Sequence, residues 1–394
     1  MRSTESVIRH LTVVGHEIGP FGGMESQLAA LVGDVLDRGI EVTAIGRRVD
    51  LPAHANLRVI HVSGPARPFP LAYLWFFVAG TIAVARNRRG PVYTLGAIVL
   101  NRVDVRKVPF CHAAWNRSPE KQSRASRQTR LYRVNAWASA LLSRAAERVV
   151  YRPSRSSELV AMSSGGAADL DAYFPAMRPA RVIPNSVDIE RFAPDPYARS
   201  EVRSRLLIGE EELVCVFAGG DWQRKGLPAV IEAIARDPDW RLLVLGAGDR
   251  DAMRHLARRL GAEERVNFLG RVDDPERYLA AADALAMPSV YEPWGNAVLE
   301  ACACALPVIV APADGVKDFI EPGVTGLVVD PRQDAIGIAL VSLKDPERRA
   351  RLGAAARERA AIYSTAAVAD RYVDLLFDSA VVAPSSSQIT GVTA

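Results

Sequence analysis

Ala286-Met287-Pro288-Ser289-Val290-Tyr291-Glu292-Pro293-Trp294-Gly295-Asn296-Ala297-Val298-Leu299-Glu300 reads as a strand, a loop and the opening turns of a helix. The apolar run ends near Met287, and Pro293 and Gly295 set up a helix start close to Asn296. The backbone amides of Asn296, Ala297 and Val298 then point outward unpaired, with the positive end of the helix dipole behind them. A phosphate is favoured there by the donors and by the dipole together. Glu292 precedes this anion site and Glu300 lies one turn inside it. Negative side chains beside a phosphate make sense when they bind hydroxyls, so Glu300 is placed for a ribose diol and Glu292 for a sugar hydroxyl. Two glutamates at this spacing occur by chance in many helices. The strand–loop–helix setting gives the pair its meaning.

Upstream, Val214-Cys215-Val216-Phe217-Ala218-Gly219-Gly220-Asp221-Trp222-Gln223-Arg224-Lys225-Gly226 repeats the pattern. A strand ends in a Gly pair, and two adjacent cations open the next helix. Cations are disfavoured at a helix N-terminus by themselves, so two of them there imply an anion between them and the helix. A diphosphate fits: Arg224 can fork two oxygens while Lys225 acts as a point charge. The competing reading is a pair of solvated surface cations.

Working outward, short β-branched runs alternate with longer helical stretches, the signature of parallel sheets with crossover helices. Strand candidates in the first half are Ile8–Val14, Ile40–Ile45, Leu57–Val62, Val92–Leu95, Val108–His112, Arg148–Tyr151 and Val182–Ile183. In the second half they are Val214–Ala218, Leu242–Leu245, Val266–Leu269, Ala284–Met287, Val308–Val310 and Leu327–Val329. The expected fold is α/β, two successive Rossmann-like doubly wound domains. The expected boundaries are 1–184 for the first domain and 185–363 for the second. A helix at Thr365–Phe377 lies within a closing segment, 364–380, and a Ser-rich tail at 381–394 is expected to be disordered.

The 394 residues suffice for two domains, and 49% hydrophobic with 24% charged residues is the balance of a soluble globular protein. Cys111, Cys215, Cys302 and Cys304 are too few for a disulfide framework, and a reducing cytosol fits them. The N-terminus lacks a signal-peptide pattern, because Glu5, Arg9 and His10 interrupt it. Charge is uneven: residues 1–190 carry 25 Lys/Arg against 15 Asp/Glu, and residues 51–150 carry 16 against 3. A basic first half suggests an anionic partner there, and a solvated surface is the plain alternative. Residues 68–85 hold no charge and include Trp75, Phe76 and Phe77. With Pro68 and Pro70 at its head this stretch is short for a bilayer span. It is read as a buried crossover helix, with interfacial membrane contact as the second reading.

Gly19-Pro20-Phe21-Gly22-Gly23-Met24-Glu25 forms a Gly-rich turn after the first strand but lacks the spacing of a dinucleotide fingerprint. Arg47 and Arg48 follow the second strand where a ribose-binding acid would stand, which weakens NAD binding. His112 is read as ending a strand, where doubly wound sheets place ligand residues. Asp169-Leu170-Asp171 and Asp237-Pro238-Asp239 lie in polar loops and are not read as metal sites, and no P-loop or nucleophile elbow is present.

Taken together, these residues resemble the family-four retaining glycosyltransferases of the GT-B fold, over about residues 8–378. Gly22-Gly23-Met24-Glu25 looks like that family's N-terminal Gly-Gly loop. Pro184-Asn185-Ser186-Val187-Asp188 with Phe192 resembles the opening of its second domain, and Arg224-Lys225-Gly226 its diphosphate-binding motif. Phe268-Leu269-Gly270-Arg271-Val272 and Glu292 through Glu300 look like its base-pocket segment and its paired glutamates. Pro307-Val308-Ile309-Val310 and Gly323-Val324-Thr325-Gly326 follow in order.

The resemblance implies two domains facing a central cleft, with the last helix crossing back onto the first. It implies a nucleoside diphosphate sugar as co-substrate and neither metal nor cofactor. Arg224 and Lys225 would neutralise the diphosphate, Glu300 would bind the ribose, Glu292 the donor sugar, and Arg271 and Val272 would border the base. His112 would stand near the reacting sugar, and Gly22 and Gly23 would back the phosphate. Ser186, Ala305 and Asp314 stand where the family usually has glycine, and Trp294 where it often has phenylalanine. The Asp314 change bears most on donor identity.

The expected reaction is hexosyl transfer with retention of configuration. The acceptor is read as a lipid-linked or cell-envelope glycan, with transfer to a soluble metabolite and sugar-nucleotide epimerisation as alternatives. Arg124, Arg127, Arg130 and Arg133, with Lys121 before them, recur along one expected helical face. That row invites peripheral contact with an anionic membrane, hence a cytoplasmic protein at the inner face of the plasma membrane. It lacks interleaved aromatics, which argues against nucleic acid.

Overall fold

Val214-Cys215-Val216-Phe217 and Leu242-Leu243-Val244 are apolar on both faces, which a strand can bury only with helices covering both sides of its sheet. A computed structural model, describing residues 9–115, 130–313 and 315–377, buries all of them in a parallel sheet. The first sheet contains β1 (His10–Ile18), β2 (Glu41–Val49), β3 (Leu57–His61), β4 (Val92–Leu95), β5 (Val103–Val108), β6 (Ser156–Ala161) and β7 (Arg181–Val182). Its strand order is β3-β2-β1-β4-β5-β6-β7. The second holds β8 (Leu213–Ala218), β9 (Trp240–Leu245), β10 (Val266–Gly270), β11 (Ala284–Met287), β12 (Val308–Val310) and β13 (Leu327–Val328), ordered β10-β9-β8-β11-β12-β13. Every pairing of these strands is parallel. The winding reverses between β1 and β4 and again between β8 and β11. Crevices therefore open at the carboxyl ends of those strands.

Eight helices build the cleft and its surroundings: α1 (Gly23–Asp37), α2 (Phe69–Asn87), α3 (His112–Trp115), α4 (Arg130–Val150), α5 (Ser164–Tyr173), α6 (Leu227–Arg236), α7 (Asn296–Ala303) and α8 (Thr365–Phe377). Helix α8 lies where the sequence puts it. It packs on α1 and β5 of the first sheet, burying Val368, Ala369, Tyr372, Leu375 and Leu376. The chain thus leaves the first sheet, builds the second, and returns.

Two strand expectations are corrected. Arg148–Tyr151 is not a strand: α4 runs through Val150, and the strand is Ser156–Ala161, whose polar opening disguised it. Val108–His112 is not one either. The strand is Val103–Val108, and Pro109, which lacks an N–H, ends it. Its Arg106-Lys107 pair reads as surface in the sequence, yet both residues are buried. Arg106 donates to the hydroxyls of Ser156 and Thr94 and to the carbonyls of Gly96, Val99 and Asn101, which satisfies the guanidinium inside the sheet.

The reading of residues 68–85 as a buried helix is also corrected. Helix α2 buries Tyr73, Phe76, Gly80 and Val84 on one face. The other face leaves Leu71, Leu74, Trp75, Val78 and Ile82 about half exposed at helical spacing. Trp137 and Leu141 of the neighbouring α4 extend that apolar surface. Helix α2 is long and apolar enough to cross a bilayer, but its inner face is packed against β1 and β2. Lys121, Arg124, Arg127, Asp314 and the 381–394 tail lie outside the described residues, and Arg130 and Arg133 fall in the first turn of α4.

Candidate active site

Strand β8 delivers its chain into Gly219, whose φ of +131° favours glycine and whose Cα lies close against the Lys225 side chain. The turn closes through Lys225 N–H to the Asp221 carbonyl, and Gly226, at φ +84°, caps α6. A Cβ on Gly226 would fall 2.8 Å from the Pro288 carbonyl oxygen, so glycine lets this turn sit against the end of β11. Arg224 and Lys225 therefore precede α6, rather than opening it as the sequence suggests, and they face the loop that follows β11.

That loop carries Glu292. Its Oε2 lies 2.9 Å from Lys225 Nζ, 3.6 Å from Arg224 Nη1 and 3.3 Å from Ser289 Oγ. Arg224 is held further by Asp221 at 3.0 Å and by the Tyr291 carbonyl. Lys225 and Glu292 are both largely buried. A desolvated carboxylate between two cations is an arrangement that survives burial, because each charge has its partner. Trp294, buried and packed on Phe319 and Tyr363, anchors the loop from behind. Gly315 donates to the Glu292 carbonyl, and a Cβ there would meet Trp294 Cα at 2.3 Å.

Helix α7 starts at Asn296 behind Gly295, which has φ +97°. Three outward amides were expected. The Val298 amide instead donates to the Gly295 carbonyl at 3.0 Å, so the first turn tightens and Asn296 and Ala297 are left as the outward donors. Glu300 lies one turn in, partly buried, and its carboxylate makes no hydrogen bond or ion pair among the described residues. Burial pushes its carboxyl up to about 7, with Arg191 and Lys225 pulling it back. Arg271 is exposed and Val272 partly buried just past β10, on the same edge of the sheet.

The first sheet meets this edge at its own reversal. Gly22 caps α1, and Gly23 is close enough to α7 that a Cβ would lie 3.2 Å from Asn296 Nδ2. Asn296 donates to the Gly23 carbonyl at 3.4 Å, and Asn185 donates to Asn296 Oδ1 at 2.8 Å. Ser186 N–H donates to Gln27 Oε1 at 2.7 Å while Gln27 Nε2 returns a bond to the Ser186 carbonyl. Opposite, Ser164 at the start of α5 donates its amide and hydroxyl to Asp318.

His112 is displaced from its expected strand end. It opens α3, four residues past β5, with its ring edge-on to Phe110 at 5.0 Å. Phe110 in turn meets Tyr291 across the cleft at 5.7 Å. The structure thus brings Gly22, Gly23, Asn296, Ala297, Lys225, Arg224, Glu292 and Glu300 to one edge, with His112 on the facing wall. Sequence reasoning missed Asn185, Gln27 and Tyr291 as cleft residues, and missed Glu147, which holds His112. Asp237 and Asp239, passed over as metal ligands, pair with Lys344. All four cysteines are buried and free.

Beyond the geometry of the site, the chain is similar in sequence and in fold to known proteins. Residues 198–359 match the family described as Glycosyl transferases group 1. Over 376 residues the chain is 29% identical to the lipopolysaccharide core biosynthesis glycosyltransferase LpsE of Rhizobium meliloti, covering 93% of this chain and 99% of that one. It is 36% identical over 191 residues to a GDP-mannose-dependent alpha-(1-6)-phosphatidylinositol monomannoside mannosyltransferase of Mycolicibacterium smegmatis, a match spanning half of that protein. The solved structure of WaaG, a glycosyltransferase involved in lipopolysaccharide biosynthesis, superposes with a TM-score of 0.77 at 20% identity, over 93% of this chain and 99% of that one. The chain has the GT-B fold. Its second domain carries the group 1 signature.

Proposed function

We propose that this chain is a family-four retaining hexosyltransferase that uses a nucleoside diphosphate sugar without a metal. The observation that carries the reading is the cluster of Lys225, Arg224 and Glu292 beside the N-terminus of α7. A diphosphate there would meet two cations and the outward amides of Asn296 and Ala297. Glu300, one turn inside α7, suits a ribose diol, and Glu292, held by Lys225, keeps lone pairs for a sugar hydroxyl. Arg271 and Val272 border the position of the base.

The bond from the anomeric carbon to the diphosphate breaks, and the acceptor oxygen bonds to the same face of that carbon. The acceptor's proton passes to the departing phosphate oxygen. Charge stabilisation of that phosphate supplies most of the rate enhancement. Lys225→Ala is expected to lower kcat/KM by about 2–4 kcal/mol of transition-state stabilisation. An unchanged kcat/KM in a transfer assay sinks the assignment. Release of an epimerised nucleotide sugar without any acceptor would move the chain to the epimerases.

The acceptor is proposed to be a lipid-linked glycan met at the cytoplasmic face of the plasma membrane. The apolar outer face of α2 and the excess of 16 Lys/Arg over 3 Asp/Glu in residues 51–150 support it. The two named relatives also point that way, since lipopolysaccharide and phosphatidylinositol stand in their names.

A further inference from the structure

Glu147 occupies a core position. On α4 it stands with Ser143, Ala146 and Val150, spaced three, four and seven residues along one face, and all four are buried. The residue itself is 1% exposed. A carboxylate placed there has surrendered its water and must recover that loss through specific partners.

Both of its hydrogen-bond contacts among the described residues are to one residue. Glu147 Oε1 accepts the backbone N–H of His112 at 3.0 Å and lies 2.8 Å from His112 Nδ1. Oε2 is buried and has no hydrogen-bond partner among the described residues. The nearby buried cation, Arg106, is committed to hydroxyls and carbonyls of the first sheet. Tyr73 and Tyr151, whose hydroxyls are pushed up by burial, are pushed further by the charge of Glu147. Capping the four-residue α3 would need only the backbone contact. The second contact, to the ring, fixes the imidazole in two ways: an Nδ1–H donated to a carboxylate sets the tautomer, and the bond sets the ring plane.

We propose that Glu147 is a positioning residue that holds His112 in the Nδ1–H tautomer, so that Nε2 is the nitrogen offered to the substrate sugar. This rests on the proposed function, in which His112 stands at that sugar. The ring is suited to the task, with a side chain 38% exposed and Phe110 linking it to the Tyr291–Glu292 loop. Phosphate binding, by contrast, belongs to the opposite wall.

The test is a double-mutant cycle on the full chain, with steady-state transfer kinetics, melting temperatures and ring 15N spectra of His112. Glu147→Leu removes the acceptor, and it is expected to lower kcat at least about tenfold, by analogy with the loss of a metal-bound histidine's orienting partner. The donor KM should change little. Glu147→Gln keeps an acceptor oxygen and should recover most of the rate. In a His112→Ala background, Glu147→Leu should cost nothing further, because residues acting as one unit are non-additive. The wild-type spectrum should report a protonated Nδ1. An equal loss from Glu147→Leu in both backgrounds, or a protonated Nε2 in the wild type, overturns the proposal. Should His112→Ala leave kcat intact while Lys225→Ala abolishes it, the sugar contact of His112 fails and the transferase reading stands.

Discussion

At the scale of single residues, burial raises the Glu300 carboxyl from 4.5 to about 7. Between those pH values the folded chain retains a proton that the unfolded chain has lost, so stability falls as pH rises through that window. The full difference corresponds to about 3 kcal/mol, and partial access to solvent brings it nearer to about 2 kcal/mol. Glu300→Gln removes the ionisation at nearly constant shape. Its melting temperature should exceed the wild type's at pH 8 and match it near pH 4.5. Equal melting temperatures at pH 8 would contradict this account of the carboxyl. Among the departures from the family's usual glycines, Ala305 adopts φ +58°, a conformation that favours glycine, and Ser186 adds a hydroxyl contact to Gln27 at 3.3 Å. Lys225, Glu292 and Glu300 were legible in the sequence because a Gly pair and a Pro–Gly turn announced the backbone around them. Glu147 was not. Its signal was a carboxylate on the apolar face of a helix, and that face is visible only once Arg148–Val150 is recognised as the end of that helix.

At the scale of elements, strands read best where they are buried on both faces. Ala284–Met287 and Val308–Val310 fall where the sequence puts them, since a short apolar run between turn residues has few other readings. Strand β5 escaped because its buried Arg106 and Lys107 look like surface: Arg106 is satisfied by hydroxyls and carbonyls around the strand, and Lys107 lies over the Tyr372 ring of the distant α8. Helix α2 misled in the opposite sense. An uncharged segment reads as core, and nothing local tells that only one of its faces meets the sheet. Each half-exposed apolar side chain on the outer face stands to gain about 1 kcal/mol on entering an apolar phase. The wild type is expected to float with anionic vesicles at low salt. Leu74→Glu combined with Val78→Glu should weaken that binding at least about tenfold while leaving the melting temperature nearly unchanged. A wild type that stays with the soluble fraction, or a variant that floats as well, would remove the membrane contact.

At the scale of the whole molecule, two parallel sheets present their reversal points to one cleft, and the chain bridges it at several places. Asn185, Asn296 and Gly23 form one bridge, Gln27 and Ser186 a second, and Ser164 and Asp318 a third. The two-sheet architecture was legible from alternating strands and helices. The bridges were not, because each joins residues more than a hundred positions apart. The account's central claim is that this cleft holds a nucleoside diphosphate on Lys225, Arg224 and the start of α7. The most direct measurement is the melting temperature of wild type and Lys225→Ala across a panel of nucleoside diphosphates, since a ligand that binds the native state raises it. At least one nucleotide should raise the wild-type value in a concentration-dependent way, with the shift strongly reduced in Lys225→Ala. A panel without effect on the wild type, or an equal shift in both proteins, would contradict the claim.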